Sequence, residues 1–287
     1  MIARAPLAWA TALLALLAVA APSRAAEEPI EIFDAHLHYN WEPKPYYQPD
    51  EVLALLKKHR VTGILSTSRP NTGTHVLMGA KADGKAGDLQ VVPFIRPYRT
   101  RPDIQTWFND PVIFDLVQDE FKRGYYRGIG EFHLSGKSAA NEWVKKAVDF
   151  AVAKNLYLHC HCDDEALLIL YGHNARARVI WAHTGFSTPP SRVAEYLEKY
   201  PALWPELSYR SGITQSGGTL SPEWRDLFAR YSDRFLLGSD TWIPERWLSY
   251  DQIMSDYRSW LKQLPPAQAQ RIAHGNAERL FGPRKAE

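Results

Sequence analysis

The chain is poor in cysteine. Past its first residues it has no apolar stretch long enough to span a membrane, and once those residues are set aside it carries no net charge. Two cysteines, Cys160 and Cys162, in 287 residues exclude a disulfide-stapled fold. They stand at i and i+2 of an extended run, near or beyond the Cα separation a bridge tolerates, so free buried thiols are expected. The 34 basic and 32 acidic side chains give +2, but Arg4 and Arg24 both fall in the first 25 residues, which hold no acid. The remaining chain is balanced, so bulk attraction to nucleic acid or to an anionic membrane is not expected. No internal repeat, low-complexity segment or interdomain linker breaks the sequence.

The first residues read as a leader. Arg4 is followed by the almost wholly apolar run Leu7 to Ala21, and Ser23-Arg24-Ala25 puts small residues where a signal peptidase reads. The run is short for a membrane span, which disfavours the alternative of an uncleaved anchor. The expectation is a signal peptide over residues 1–25, one domain over 26–287, and a periplasmic or secreted protein with no membrane attachment after cleavage.

Beyond the leader, short β-branched runs alternate with longer amphipathic stretches. The strand candidates are Glu31–His36, Gly63–Thr67, Val91–Ile95, Gly128–His133, Leu156–His161, Val179–His183, Leu203–Tyr209 and Phe235–Asp240. Between them "PDEVLALLKKH" carries Asp50 as a cap with Val52, Leu55 and Leu56 on one face. "SAANEWVKKAVDFAVAKN" spaces Trp143, Ala147, Phe150 and Ala151 as a helix does. Alternation of this kind implies a parallel sheet, and eight repeats are what close a single (β/α)8 TIM barrel.

Histidines gather where these strands stop. "IFDAHLHYN" ends a strand with His36 and His38, which share a face at i and i+2. "NLYLHCHCDDE" ends with His159 and His161, "VIWAHTGF" with His183, and "FLLGSDTW" with Asp240; "GIGEFHL" puts Glu131 and His133 on one face. In a barrel the C-terminal strand ends meet at one mouth, so these residues become one cluster of nitrogen and carboxylate donors suited to Zn²⁺ or Mn²⁺. Arginines and aromatics sit in the loops after the strands: Arg69, Arg96, Arg99, Arg210, Trp41, Tyr46, Tyr47 and Trp242. Arginine forks bind carboxylates and aromatic faces bind flat groups, so Arg69, Arg96, Arg210 and Trp242 are expected to bind a small anionic substrate. For any single one of these arginines, pairing with an acid on a neighbouring loop is the stronger expectation.

The set "DAHLH", "HCH", "WAHTG", "LLGSDTW" and the tail "HGNAERLFG" resembles the amidohydrolase superfamily, in the branch that also holds aminocarboxymuconate semialdehyde decarboxylase-like enzymes. The resemblance implies that His36, His38 and His161 bind metal, that His183 is a ligand or polarising acid/base, and that Asp240 is both ligand and base. His161 is preferred to His159, which is expected one layer deeper as a packing residue. The fourth strand departs from the pattern: it lacks the lysine that some members carbamylate. Its "GIGE" resembles TatD-type deoxyribonucleases, so Glu131 either binds metal, supporting a second ion, or pairs with an arginine such as Arg96. The implied activity is metal-dependent hydrolysis of an amide, ester or lactone, with one or two divalent ions, zinc foremost. Alternatives on the same site are a non-oxidative decarboxylase or other lyase, a TatD-like phosphodiesterase, and a binding protein that keeps metal without catalysis. The expected partner is a small molecule and not nucleic acid; homo-oligomerisation stays open.

Overall fold

The computed structural model describes residue 1 and residues 28–282. The expected leader cleavage lies outside the described residues. Seven parallel strands form one sheet in sequence order: β1 (Ile32–His38), β2 (Val61–Thr67), β3 (Gln90–Ile95), β4 (Gly128–Leu134), β5 (Tyr157–Cys162), β6 (Val179–Trp181) and β7 (Leu203–Pro205). Helices connect them: α1 (Pro49–Lys58), α2 (Thr72–Ala82), α3 (Pro111–Phe121), α4 (Glu142–Ala153), α5 (Asp164–His173) and α6 (Pro190–Lys199), with α7 (Pro222–Tyr231) after β7. The fold is α/β, its sheet curled into a half-barrel with helices outside.

Both quoted helix patterns form helices, α1 with its cap shifted and α4 beginning at Glu142, inside its quoted stretch. Pro49 opens α1, so the cap is Gln48 and not Asp50, and Val52 and Leu56 are the buried face. In α4 it is Val144, Ala147, Val148 and Ala151 that are buried. These faces join one large apolar layer between helices and sheet. A second, smaller apolar cluster fills the inside of the curl, with Phe33, Leu65, Phe94, Ile180 and Leu236 among its members. Phe281, from the final helix (Asn276–Phe281), packs there against Phe33, Phe94 and Tyr157. The tail motif thus plugs the end of the sheet opposite the histidines.

The expected eighth strand, Phe235–Asp240, does not form a ladder. Leu237 makes an isolated bridge to Asp34 of β1, and Leu236 one to Glu206 just past β7. Ala35 N–H donates to the Leu237 carbonyl at 2.7 Å and Leu207 N–H to that of Leu236 at 3.0 Å. Asn276 donates to the carbonyls of Ser232 and Phe235 and holds the start of this segment. Past Leu237 the chain runs close along β1, where a Cβ on Gly238 would lie 2.3 Å from His36 Cβ and the Asp240 N–H donates to the His36 carbonyl at 2.6 Å. At Asp240 the backbone then turns with φ 50°.

The cysteines differ from expectation. Cys160 and Cys162 are bonded to each other, their Cα atoms 5.5 Å apart. The pleat of β5 shortens the i, i+2 span into the range a disulfide spans. Both side chains do face the apolar layer under the helices, opposite to His159 and His161.

Candidate metal centre

Alternation alone would not put the donors of β1 and β4 on the inner face. Ile129 points to the outer apolar layer, so strict alternation would send Glu131 there too. The β4–β5 register slips between Gly130 and Phe132, and this turns both Glu131 and His133 inward. A similar slip between Asp34 and Leu37 turns His36 and His38 inward while Asp34 stays on the helix side, bonded to Tyr250 at 2.9 Å. Strand β5 is regular there and presents His159 and His161 to the interior.

Four of the expected donors converge. One ligand atom each from His36, His38, Glu131 and Asp240 lie within 4.8 Å of one another, all buried. His38 Nε2 is 3.0 Å from Asp240 Oδ1 and 3.2 Å from Glu131 Oε2. His36 Nε2 is 3.5 Å from an oxygen of each carboxylate. The two Nε2 atoms face each other at 3.1 Å, an approach that needs a proton or a cation between them. Imidazole nitrogens and carboxylate oxygens are the donor set a divalent transition metal takes, so the residues fit such an ion.

A second group adjoins the first through Glu131, which shares a 4.8 Å cluster with His133 and His161. His161 Nδ1 lies 2.9 Å from Glu131 Oε1 and 3.2 Å from His183 Nε2. His133 stacks on His161 and contacts the Tyr98 hydroxyl through Nδ1. His183 sits in a turn with φ 57°, which swings its ring to 3.6 Å from Glu131 and 3.9 Å from Asp240.

The charges are interlocked. Burial alone would raise Asp240, but the positive field of His36 and the bond to His38 outweigh it and hold its pKa at about 2. Glu131 is likewise buried, yet His133, His36 and the bonds from His161 and His183 keep it well below the usual carboxylate range. Burial works against a charged His36, and the carboxylates of Asp240, Glu206 and Glu131 reverse that and push it well up. His38 is pushed down by burial and then by Arg96.

Glu131 faces the histidines and also pairs with the Arg96 guanidinium at 3.2 Å. Arg96 is itself buried and bonded to the His38 ring. His159 lies one layer deeper, fully buried against His36 and Phe94, with no hydrogen-bond partner on either ring nitrogen among the described residues.

Above the cluster opens a cavity of about 690 Å³. Glu131, His133, His161, His183 and Asp240 form its floor; Arg69, Arg96 and Arg101 line it, as do Ile104, Phe186, Tyr209 and Trp242. Arg69 spends one nitrogen on Glu42 at 2.7 Å. Arg210 is not brought here. Its guanidinium lies over Trp224 and donates to the Thr188 carbonyl, and it lines a separate cavity. Arg99 is taken up by Asp103 and Asp110. Trp41, Tyr46 and Tyr47 do not line the cavity. Strand-end position does not single out Glu206, a fully buried carboxylate 2.9 Å from His36 Nδ1. Its one signal in the sequence is an acid inside the apolar run Leu203 to Leu207.

A half-barrel with histidines and carboxylates converging at its strand ends defines a metal-dependent hydrolase. Residues 130–282 match the sequence model of the amidohydrolase family. The chain belongs to that family and is an enzyme of the amidohydrolase type. No curated protein sequence matches it. Among solved structures it resembles an amidohydrolase from Burkholderia multivorans with bound zinc (TM-score 0.56, 15% identity, 87% of this chain and 98% of that one). It also resembles a protein from Pseudomonas putida named as a putative 2-pyrone-4,6-dicarboxylic acid hydrolase (TM-score 0.58, 15% identity, 90% and 99%). A TatD-family hydrolase from Entamoeba histolytica is similar to the same degree (TM-score 0.57, 12% identity, 89% and 100%). At these identities the likeness is one of fold.

Proposed function

We propose that this enzyme hydrolyses an amide, ester or lactone bond of a small anionic molecule, using water and the base Asp240 beside a divalent ion. The ion is held by His36, His38, Glu131 and Asp240, and zinc is the metal we favour. The observation that carries this reading is the convergence of those donors under a cavity lined by arginines. When bound, the metal supplies a water of lowered pKa and polarises the oxygen of the scissile bond. Asp240 Oδ2 takes the proton of the attacking water and returns it to the leaving group. His183 steadies charge developing on the substrate oxygen, and His161 acts from the same floor, as a ligand should a second ion bind beside Glu131. Arg69 and Arg101 take the substrate's carboxylate, with Trp242 against its flat part. Arg96 is the charge partner of Glu131. On this reading the segment at Leu236 and Leu237 is the eighth stave of one (β/α)8 barrel, the single domain of an exported protein.

The test is metal content. Protein with both His36 and His38 changed to Ala should retain far less zinc than the parent after dialysis without added metal. Equal content would remove the metal centre. Product analysis then separates hydrolysis, which incorporates solvent oxygen, from decarboxylation on the same site, which releases CO₂.

A further inference from the structure

Glu206 and Ser208 stand outside the four-donor set of His36, His38, Glu131 and Asp240 and outside the cavity, and both touch that set from behind; Glu206 also forms a buried cluster of its own with His36 and His159. Both are fully buried. Glu206 Oε2 lies 2.9 Å from His36 Nδ1 and accepts from Ser208 Oγ at 2.8 Å and from the His183 backbone N–H at 3.3 Å. Its Oε1 accepts from Ser208 N–H at 2.5 Å. Ser208 Oγ is 3.1 Å from Nδ1 of both His36 and His183, and the Ser208 carbonyl accepts from His183 Nδ1 at 2.9 Å. One acid and one serine therefore hold the rear nitrogens of two histidines that come from β1 and from the turn after β6.

We propose that Glu206, supported by Ser208, is the positioning residue of the metal centre, and that it sets the ion affinity by fixing which nitrogen of His36 carries the proton. The inference rests on the metal-centre reading above. A carboxylate can only accept. It therefore keeps a proton on His36 Nδ1, so that Nε2, facing His38, Glu131 and Asp240, is the nitrogen an ion would take. The Ser208 carbonyl fixes His183 in the same sense, leaving its Nε2 free toward His161. Partners of this kind commonly change metal affinity by about 10–100-fold. Glycine at 238 is part of the arrangement, since a Cβ there would meet Glu206 Oε1 at 2.5 Å as well as His36.

Glu206→Gln is the informative change. Both oxygens of Glu206 face donors, so an amide puts its NH₂ against either Ser208 N–H or His36 Nδ1. The second arrangement forces the His36 proton onto Nε2, where the ion should bind. Zinc affinity of the metal-free parent and variant is measured by competition with a chelator, and their melting temperatures are measured without metal. Weakening by about 10–100-fold in a variant that is folded at the assay temperature is the expected result. An unchanged zinc constant, whatever the melting temperature does, overturns the proposal, because a purely structural role would move stability alone. Should Glu206→Gln not fold, Ser208→Ala serves: it removes the hydroxyl bridging Glu206, His36 and His183, and several-fold weaker zinc binding is expected. No weakening there likewise overturns the proposal. A parent that binds no zinc would instead be seen in the parent titration, and refutes the metal-centre reading itself.

Discussion

Changing Asp240 to Asn should cost rate far more than stability. The backbone at this residue has φ 50°, a conformation Asn tolerates about as well as Asp, and its N–H stays bonded to the His36 carbonyl at 2.6 Å. Asn also keeps one oxygen for His38 Nε2, 3.0 Å from Oδ1. What is lost is the negative charge among His36, His38 and His183, worth about 1–3 kcal/mol as a charge-assisted contact. For a domain of this size that is a fall in melting temperature of roughly 2–12 °C. An amide cannot accept a proton usefully, and losing a general base costs about 10²–10⁴-fold in rate. The assay is turnover of the best ester, lactone or amide from a panel of anionic substrates, with saturating zinc so that a lowered affinity does not limit occupancy. Normal turnover by the metal-replete variant would refute Asp240 as the base and direct the same test to His183. A variant that does not fold would refute the argument that the side chain serves chemistry and not packing.

The two loop arginines should part company. Arg69→Met should raise KM for an anionic substrate by about 10–100-fold, the worth of a charge-assisted hydrogen bond, with a smaller change in kcat. Arg210→Met should leave both within about two-fold, because Arg210 lies on Trp224 away from the cavity; steady-state kinetics on one substrate decides both. Export and processing predict that N-terminal sequencing of the exported protein begins at or near Ala26, and a mature form starting at Met1 would defeat that reading. Asp103 ties the loop that carries Arg101: burial works to raise its pKa, but its bonds to the Arg99 side chain and to the Thr100 and Arg99 N–H groups outweigh this and depress it. A depressed carboxylate contributes stability that is present above its unfolded pKa and is lost as pH falls through the folded value. The melting-temperature gap between parent and Asp103→Asn should therefore be steady above about pH 5 and close below about pH 4; a gap that persists unchanged in acid would sink the argument.

Much of this site is legible in the sequence because two regularities need no tertiary knowledge. Strand–helix alternation places every C-terminal strand end on one side, and polar residues at the ends of apolar runs mark those ends. His36, His38, Glu131, His161, His183 and Asp240 stand out that way, and all line one cluster or the floor above it. The final pair of strands is harder to read, since β7 spans only Leu203–Pro205 and the Leu236–Leu237 segment makes bridges and no ladder. Arg210 misleads because a residue after a strand can turn to either side of its loop, and here an aromatic face, Trp224, captures it. The cysteines mislead because β5 is locally compressed at this point, with the two Cα atoms 5.5 Å apart. Glu206 escapes for a different reason. A donor at a strand end announces itself by position, whereas a residue that holds a donor from behind is defined only by what it touches, here a histidine 170 positions away. Yet an acid inside an apolar run must be paired or neutralised, because burying a lone carboxylate is prohibitively unfavourable. A buried acid inside an apolar run therefore implies a buried partner, and for Glu206 that partner is the rear nitrogen of His36, 2.9 Å away.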